Sequence, residues 1–159
     1  MSTSKHIAGT AAALSVFELE HFLPYRLSLL TNTVSQGIST SYRGKHDISI
    51  TEWRILAVLG RFPGLAASEI VERTAMDKVS VSRAVKALVE KDLVQRLTDP
   101  ADRRRMSLHI TPGPGQRVLQ TVVPLALQYE KQLLSALNPA EQKALSKALK
   151  KLQAKASSL

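Results

Sequence analysis

A mainly α-helical chain with one small antiparallel ribbon is the fold class this sequence predicts, and three observations carry that expectation. Between Asp77 and Glu90 the apolar residues Val81, Val85, Leu88 and Val89 fall at i, i+4, i+7 and i+8, which is one helical face. Directly after it the period drops to two. Val94, Arg96 and Thr98 alternate with Leu93, Gln95 and Leu97, and Met106, Leu108 and Ile110 alternate with Ser107, His109 and Thr111. The two runs are joined by Asp99-Pro100-Ala101-Asp102-Arg103-Arg104-Arg105, where Asp99 and Pro100 suit the first two positions of a type I turn. The third observation is that long amphipathic stripes lie on both sides of this segment, two of them opened by capping boxes.

Taken in order, residues 1–13 are small and polar and are expected to be disordered. The run from Ile7 to Val16 has some likeness to a signal-peptide core, but Glu18 and Glu20 follow at once and only Lys5 precedes it, so a cytoplasmic protein is expected. From Ser15 the residues Phe17, Phe22, Leu23, Leu27, Leu30, Val34 and Ile38 carry a helical stripe to about Tyr42. Pro24 either begins the main part of this helix or kinks it, and Gly44 suits its stop. Ser49-Ile50-Thr51-Glu52 is a capping box, with Ile48 and Trp53 spaced as a hydrophobic staple. The helix it opens carries Trp53, Leu56, Ala57 and Leu59 and should end near Arg61, before Pro63 and Gly64.

A short helix from Ala67 to Ala75 follows, with Ile70 and Val71 inward and the poor cap Ala66 in front of it. A break at Met76-Asp77 leads into the helix described first. Beyond the ribbon, Thr111 is expected to cap and Pro112 to open another helix. Its apolar side is Leu119, Val122, Val123, Leu127, Leu133 and Leu134, and Pro124 should bend it. Asn138-Pro139-Ala140-Glu141 is the second capping box. The helix behind it sets Leu145, Ala148, Leu149 and Leu152 on one face and Lys143, Lys147, Lys150 and Lys151 elsewhere.

Charge narrows the choice of partner. Lys and Arg number 22 against 13 Asp and Glu, a formal net charge of +9, which favours nucleic acid or an acidic membrane surface. No apolar run approaches the ~20 residues of a spanning helix, and so a membrane partner is not expected. Three Phe, three Tyr and one Trp are too few and too scattered for a single-strand stacking platform. The absence of cysteine excludes thiol redox chemistry and thiolate metal sites. His6, His21, His46 and His109 stand in no metal-ligand spacing, and no nucleophile elbow or phosphate loop is present. In Pro112-Gly113-Pro114-Gly115 the prolines remove the amides that a phosphate cradle needs. No enzyme, no metal and no cofactor are therefore expected.

On the helix that follows Asp77, Val79, Arg83 and Lys86 point away from the apolar face, with Ser80 and Ser82 on the flanks, and Lys78 is a further candidate DNA contact. Alone, this is equally the description of a solvated amphipathic helix. Joined to a hairpin whose tip holds Arg103, Arg104 and Arg105, it is the layout of a winged helix-turn-helix. There, basic groups meet phosphates and small hydroxyls allow close approach to base edges. The stretch VSRAVKALVEKDLV…DPADRRRMSLHIT resembles the recognition helix and wing of MarR-type transcriptional regulators, and the resemblance extends over about residues 17 to 155. It implies that Arg104 enters a minor groove with Asp102 bracing it, and that the protein is a homodimer.

The expected domains are a winged helix-turn-helix over 47–111 and a helical dimerisation region formed by 14–46 and 112–159. Partners follow: double-stranded DNA carrying a pseudo-palindromic operator, a second copy of the chain, and a small-molecule effector. Arg26 has two readings, a snorkelling or salt-bridged surface residue, or a guanidinium that receives a ligand carboxylate in a cleft flanked by the helix of Trp53. Some relatives that respond to aromatic acids use an arginine in the first helix, which implies an aromatic carboxylate as effector. The function expected is that of a homodimeric repressor released by such a ligand. Its rivals are a ligand-independent DNA-binding protein and a protein-interaction adaptor built on a winged helix.

Overall fold

The computed structural model describes residues 17–98 and 106–159. The N-terminal stretch 1–13 and the ribbon tip, with Asp99, Pro100, Asp102, Arg103, Arg104 and Arg105, lie outside the described residues. Among the described residues there are six α-helices and one two-stranded antiparallel sheet, as the periodicities predict. They are α1 (Leu23–Tyr42), α2 (Ile50–Arg61), α3 (Ala67–Thr74), α4 (Lys78–Glu90), β1 (Val94–Thr98), β2 (Met106–Ile110), α5 (Pro114–Leu134) and α6 (Pro139–Ala156). The chain divides into two compact units, Met1–Gly37 and Ile38–Leu159.

In the described part of the first unit, a 3-10 turn over Leu19–His21 precedes α1. Pro24 lies in the first turn of α1, where its missing N–H costs nothing, so of its two expected roles it takes that of starting the helix. The stripe Phe17, Phe22, Leu23, Leu27 and Leu30 is exposed. Phe17 and Phe22 meet edge to face with ring centroids 5.1 Å apart.

The second unit holds the core. Ser49 caps α2 by accepting the Glu52 N–H at 3.1 Å, and the Glu52 side chain accepts the Ser49 N–H in return. The helix buries Ile55, Leu56 and Leu59 against Ile70 of α3 and Val81, Ala84, Val85 and Leu88 of α4. Each large aliphatic side chain in this set contributes about 1.5–3 kcal/mol of transfer free energy. Tyr42, from the end of α1, is fully buried with its ring centroid 6.2 Å from that of Trp53. Ala66 offers no side-chain acceptor at the start of α3, but Glu69 accepts the Ala66 N–H at 2.7 Å and supplies the other half of a capping box.

The strands pair in the register Val94↔Ile110, Arg96↔Leu108 and Thr98↔Met106. A single bridge between Leu65 and Leu108 adds a rudimentary third strand, with the Leu108 N–H donating to the Leu65 carbonyl at 2.9 Å.

Helix α5 departs from expectation. It begins at Pro114, with Gly113 (φ 95°) as its cap, and not at Pro112. Thr111 still acts at this junction, although from further back. It is buried, its hydroxyl donates to the Asp92 carbonyl at 2.6 Å, and the same oxygen accepts the Gly115 N–H at 3.0 Å. The turn therefore needs two more residues than a direct cap at Thr111. Helix α5 continues through Pro124, and buries Val118 and Val122. Of the expected stripe, Val123, Leu127 and Leu133 are exposed. On α6, capped by Asn138 as expected, Leu145, Leu149 and Leu152 are exposed as well.

Gly115 sits where this junction is tightest. A Cβ built on it would lie 2.3 Å from the Leu93 carbonyl oxygen and 2.8 Å from Ile110 Cγ2. Backbone and a β-branched neighbour cannot yield cheaply, so Gly115→Ala should lower stability by about 2–3 kcal/mol or more. Urea unfolding of the variant beside the wild type measures this; an unchanged midpoint would show that the junction relaxes.

Candidate nucleic-acid interface

The interface is built on α4. Asp77 caps it, accepting the Ser80 N–H at 2.8 Å, and the preceding turn is made by Ala75 in the left-handed region (φ 51°). This turn directs α3 into α4 and completes the helix-turn-helix. Burial of Val81, Ala84, Val85 and Leu88 fixes which side of α4 is left over. On the leftover side Lys78, Val79, Ser82, Arg83 and Lys86 are exposed, while Ser80 is half-buried at the flank. The sequence-predicted residues of the helix thus share one solvent-facing side.

Two features of that side were not anticipated. Lys86 pairs with Glu90 one turn on, at 3.7 Å between exposed groups, a contact worth little in water that leaves the lysine available. An open groove of about 400 Å³ also runs between the start of α2 (Ser49, Thr51, Glu52) and α4 (Ser80, Arg83, Ala84, Ala87), so Arg83 stands at its edge.

Along the ribbon, burial falls from root to tip. Val94 is buried and Ile110 half-buried, whereas Thr98 and its partner Met106 are exposed. The root is held by bonds that cross elements: the Thr111 N–H donates to the Leu93 carbonyl, and the Leu93 N–H to the Leu88 carbonyl at 2.9 Å. Ser107, buried near the middle, donates to the Leu97 carbonyl and lies 3.1 Å from His109 Nε2. The strands therefore lead from a packed base to an exposed end, where the chain continues into the arginine-bearing tip.

The two residues expected at an effector site fall in different units. Arg26 lines an open, mainly apolar groove of about 680 Å³ within the first unit, beside Leu23, Leu27, Leu30 and Thr33. Trp53 is half-buried in the second unit beside Tyr42. Among the described residues no group of three or more His, Cys, Asp or Glu is placed to hold a metal ion, and no helix is long and apolar enough to cross a membrane.

The ion pair between Glu52 and Lys91 escaped sequence reasoning. Lys91 Nζ lies 3.0 and 3.2 Å from the two carboxylate oxygens of Glu52, across 39 positions of sequence. The capping box explains Glu52 locally, and nothing near Lys91 announces a distant partner.

The comparisons with known proteins agree with this geometry. A family model described as MarR family matches residues 46–105. A protein of Thauera aromatica assigned to transcriptional regulation of the hcr operon is 30% identical over 128 residues, 80% of this chain and 70% of that protein. The crystal structure of a MarR/EmrR family transcriptional regulator from Acinetobacter sp. ADP1 superposes with a TM-score of 0.82 at 31% identity, covering 90% of this chain and 100% of that one. The structure of Bordetella bronchiseptica BpsR, described as showing regulation of its DNA binding by 6-hydroxynicotinic acid, is alike in fold. Its TM-score is 0.75 at 23% identity, covering 86% of this chain and 96% of that one.

The cap of α4 has a pH signature. The Ser80 side chain and backbone N–H both favour the Asp77 carboxylate and hold its pKa below the ordinary 3.8. A depressed folded-state value adds stability above the unfolded pKa, and that contribution is lost as pH falls through the folded one. Asp77→Ala should thus destabilise the protein at pH 7, with the difference from wild type shrinking as the pH drops below about 4. Thermal melting of both proteins from pH 7 to pH 3 tests it; a gap that stays constant to pH 3 would remove the carboxylate from the cap's energetics.

Proposed function

The chain belongs to the MarR family of transcriptional regulators, and from that premise we propose that it is a cytoplasmic homodimeric repressor released from double-stranded DNA by a flat carboxylic acid. The observation that carries the reading is the exposed basic side of α4, set by burial of the opposite side and followed at once by the ribbon. Helix α4 lies in a major groove. Arg83 and Lys86 bond phosphates or guanine edges, Ser82 approaches closely, and Lys78 and Ser80 meet the backbone near the helix start. Arg104 reaches into the neighbouring minor groove, where a narrow A·T tract concentrates negative potential, with Asp102 holding its guanidinium and Arg103 and Arg105 on the flanking phosphates.

Dimerisation is supported by apolar surface that the single chain leaves open. Leu23, Leu27 and Leu30 of α1, Leu127 and Leu133 of α5 and Leu145, Leu149 and Leu152 of α6 are all exposed, with Leu127 at 58%. Large apolar side chains left exposed in this way are costly in water, and a two-fold partner covers them while presenting two α4 helices to two half-sites. Half-sites then lie about one DNA turn apart, so a pseudo-palindromic operator is expected. A ligand that prefers a different helix separation releases the DNA by shifting the population away from the competent spacing.

The effector class is argued from Arg26 and its groove, whose walls suit an aromatic ring while the guanidinium takes a carboxylate. The description of BpsR, a neighbour in fold, names 6-hydroxynicotinic acid, which is itself an aromatic carboxylic acid.

DNA binding is tested by Arg83→Ala, measured by fluorescence anisotropy on a duplex enriched from a random pool by the wild-type protein. The loss should be about 1–3 kcal/mol, with relaxed preference at one base pair if Arg83 reads a base. Loss of a phosphate contact would instead weaken all sequences alike and reduce the salt slope by about one. Undiminished affinity takes Arg83 out of the interface. Effector recognition is tested by Arg26→Ala, which should bind DNA normally yet no longer be released by aromatic carboxylic acids. Equal calorimetric affinity of one such acid for both proteins would return Arg26 to a surface role.

A further inference from the structure

Glu52 is charged and only 4% exposed, and it has to be satisfied where it stands. One of its contacts is local, the Ser49 N–H that closes the capping box of α2. The rest come from Lys91. Its ammonium donates to both Glu52 oxygens, at 3.0 and 3.2 Å, and to the Asp47 carbonyl at 2.6 Å. Asp47 adds a more distant exposed carboxylate at 3.7 Å.

Lys91 is also the residue that ends α4, its backbone N–H donating to the Ala87 carbonyl at 3.0 Å. The carboxylate therefore lies at the positive end of α2 and the ammonium at the negative end of α4, the favourable pole in each case. The ribbon starts immediately beyond, where the Asp92 carbonyl accepts the Thr111 hydroxyl.

We propose that Glu52 and Lys91 form a clamp that sets the position of α4 against α2, and so the presentation of Arg83 and Lys86 to DNA. Both are positioning residues and neither contacts DNA; the proposal rests on the DNA-binding reading above. Apolar packing between Ile55, Leu56 and Leu59 and the inner side of α4 is non-directional, and tolerates small rotations and slides. The three ammonium bonds do not, because each fixes a distance and an angle. They act at the far end of α4 from its Asp77 cap, which is a bond within α4's own first turn. A shift at Lys91 also reaches the ribbon through Asp92 and Leu93.

The test compares the full chain with Glu52→Gln, Lys91→Met and Lys91→Arg, each first checked by thermal melting at the assay temperature. Gln at position 52 still accepts the Ser49 N–H, so the cap survives, while Lys91 loses the negative charge and one of its two acceptor oxygens. Without DNA, backbone amides of residues 88–94 should exchange roughly tenfold faster in Glu52→Gln and Lys91→Met, and near the wild-type rate in Lys91→Arg. On the enriched duplex, Glu52→Gln should bind about three- to tenfold more weakly with an unchanged salt slope. That loss would come even though the substitution makes the protein more positive, which no purely electrostatic account predicts. Lys91→Arg should recover most of the affinity that Lys91→Met loses. Unchanged exchange at 88–94 would overturn the clamp, as would Glu52→Gln binding as tightly as wild type or tighter. Lys91→Met with a salt slope smaller by about one, beside tighter Glu52→Gln, would overturn it in favour of a direct phosphate contact. A wild-type protein that enriches no duplex would overturn the DNA-binding reading itself, and the exchange rates then judge the clamp separately.

Discussion

Helix α4 has one apolar side, and its burial is the constraint on which the rest of the molecule depends. Val81, Ala84, Val85 and Leu88 close the core over Ile55, Leu56, Leu59 and Ile70. Once they are inside, the 100° step of the helix leaves Lys78, Ser82, Arg83 and Lys86 no place but the surface. The same event that stabilises the second unit therefore creates its basic face. Under the proposed function a substitution inside this set acts on DNA binding as well as stability, because a cavity below α4 lets the helix settle and the outer side turns with it.

Directional bonds refine what burial sets coarsely. Around the end of α4 they are dense: Lys91 to Glu52 and Asp47, Leu93 to Leu88, Thr111 to Asp92, and Gly115 to Thr111. This knot joins α2, α4, the ribbon root and the start of α5 within a few residues. Polar networks inside a protein carry high stakes, since each member left without its partner is costly. Helix α4 and the ribbon are thus referred to one fixed point and not to each other across solvent.

The long helices follow a different logic. Leu23, Leu27 and Leu30 of α1, Leu127 and Leu133 of α5 and Leu145, Leu149 and Leu152 of α6 stay exposed in the single chain. A basic side on α4 and exposed apolar side chains on the long helices are the features from which two-fold assembly and ligand control are argued in the proposed function. The groove bearing Arg26 beside Leu23, Leu27 and Leu30 is also lined by Glu20, so in the proposed function a bound carboxylate pairs with Arg26 while that acidic side chain faces away from it.

Much of this was determined by the sequence alone. The capping boxes at Ser49 and Asn138, the break at Met76-Asp77, the outward side of α4 and the period-2 runs at 94–98 and 106–110 are all signals contained within a few residues. Such signals depend on backbone geometry that any helix or strand shares, which is why they could be read without tertiary knowledge. Family membership was legible for a related reason, since the ribbon and the helix before it are contiguous in the chain. What only the tertiary structure decided involves partners far apart in sequence. Glu52 meets Lys91 across 39 positions, and Thr111 bonds Asp92 across 19, which displaces the start of α5 to Pro114. Gly115 is required by a carbonyl 22 residues earlier (115 − 93), a neighbour no local pattern reveals. Which apolar side chains are covered, and which stay exposed, is settled by packing, because helical periodicity records that a face is apolar but not what lies against it.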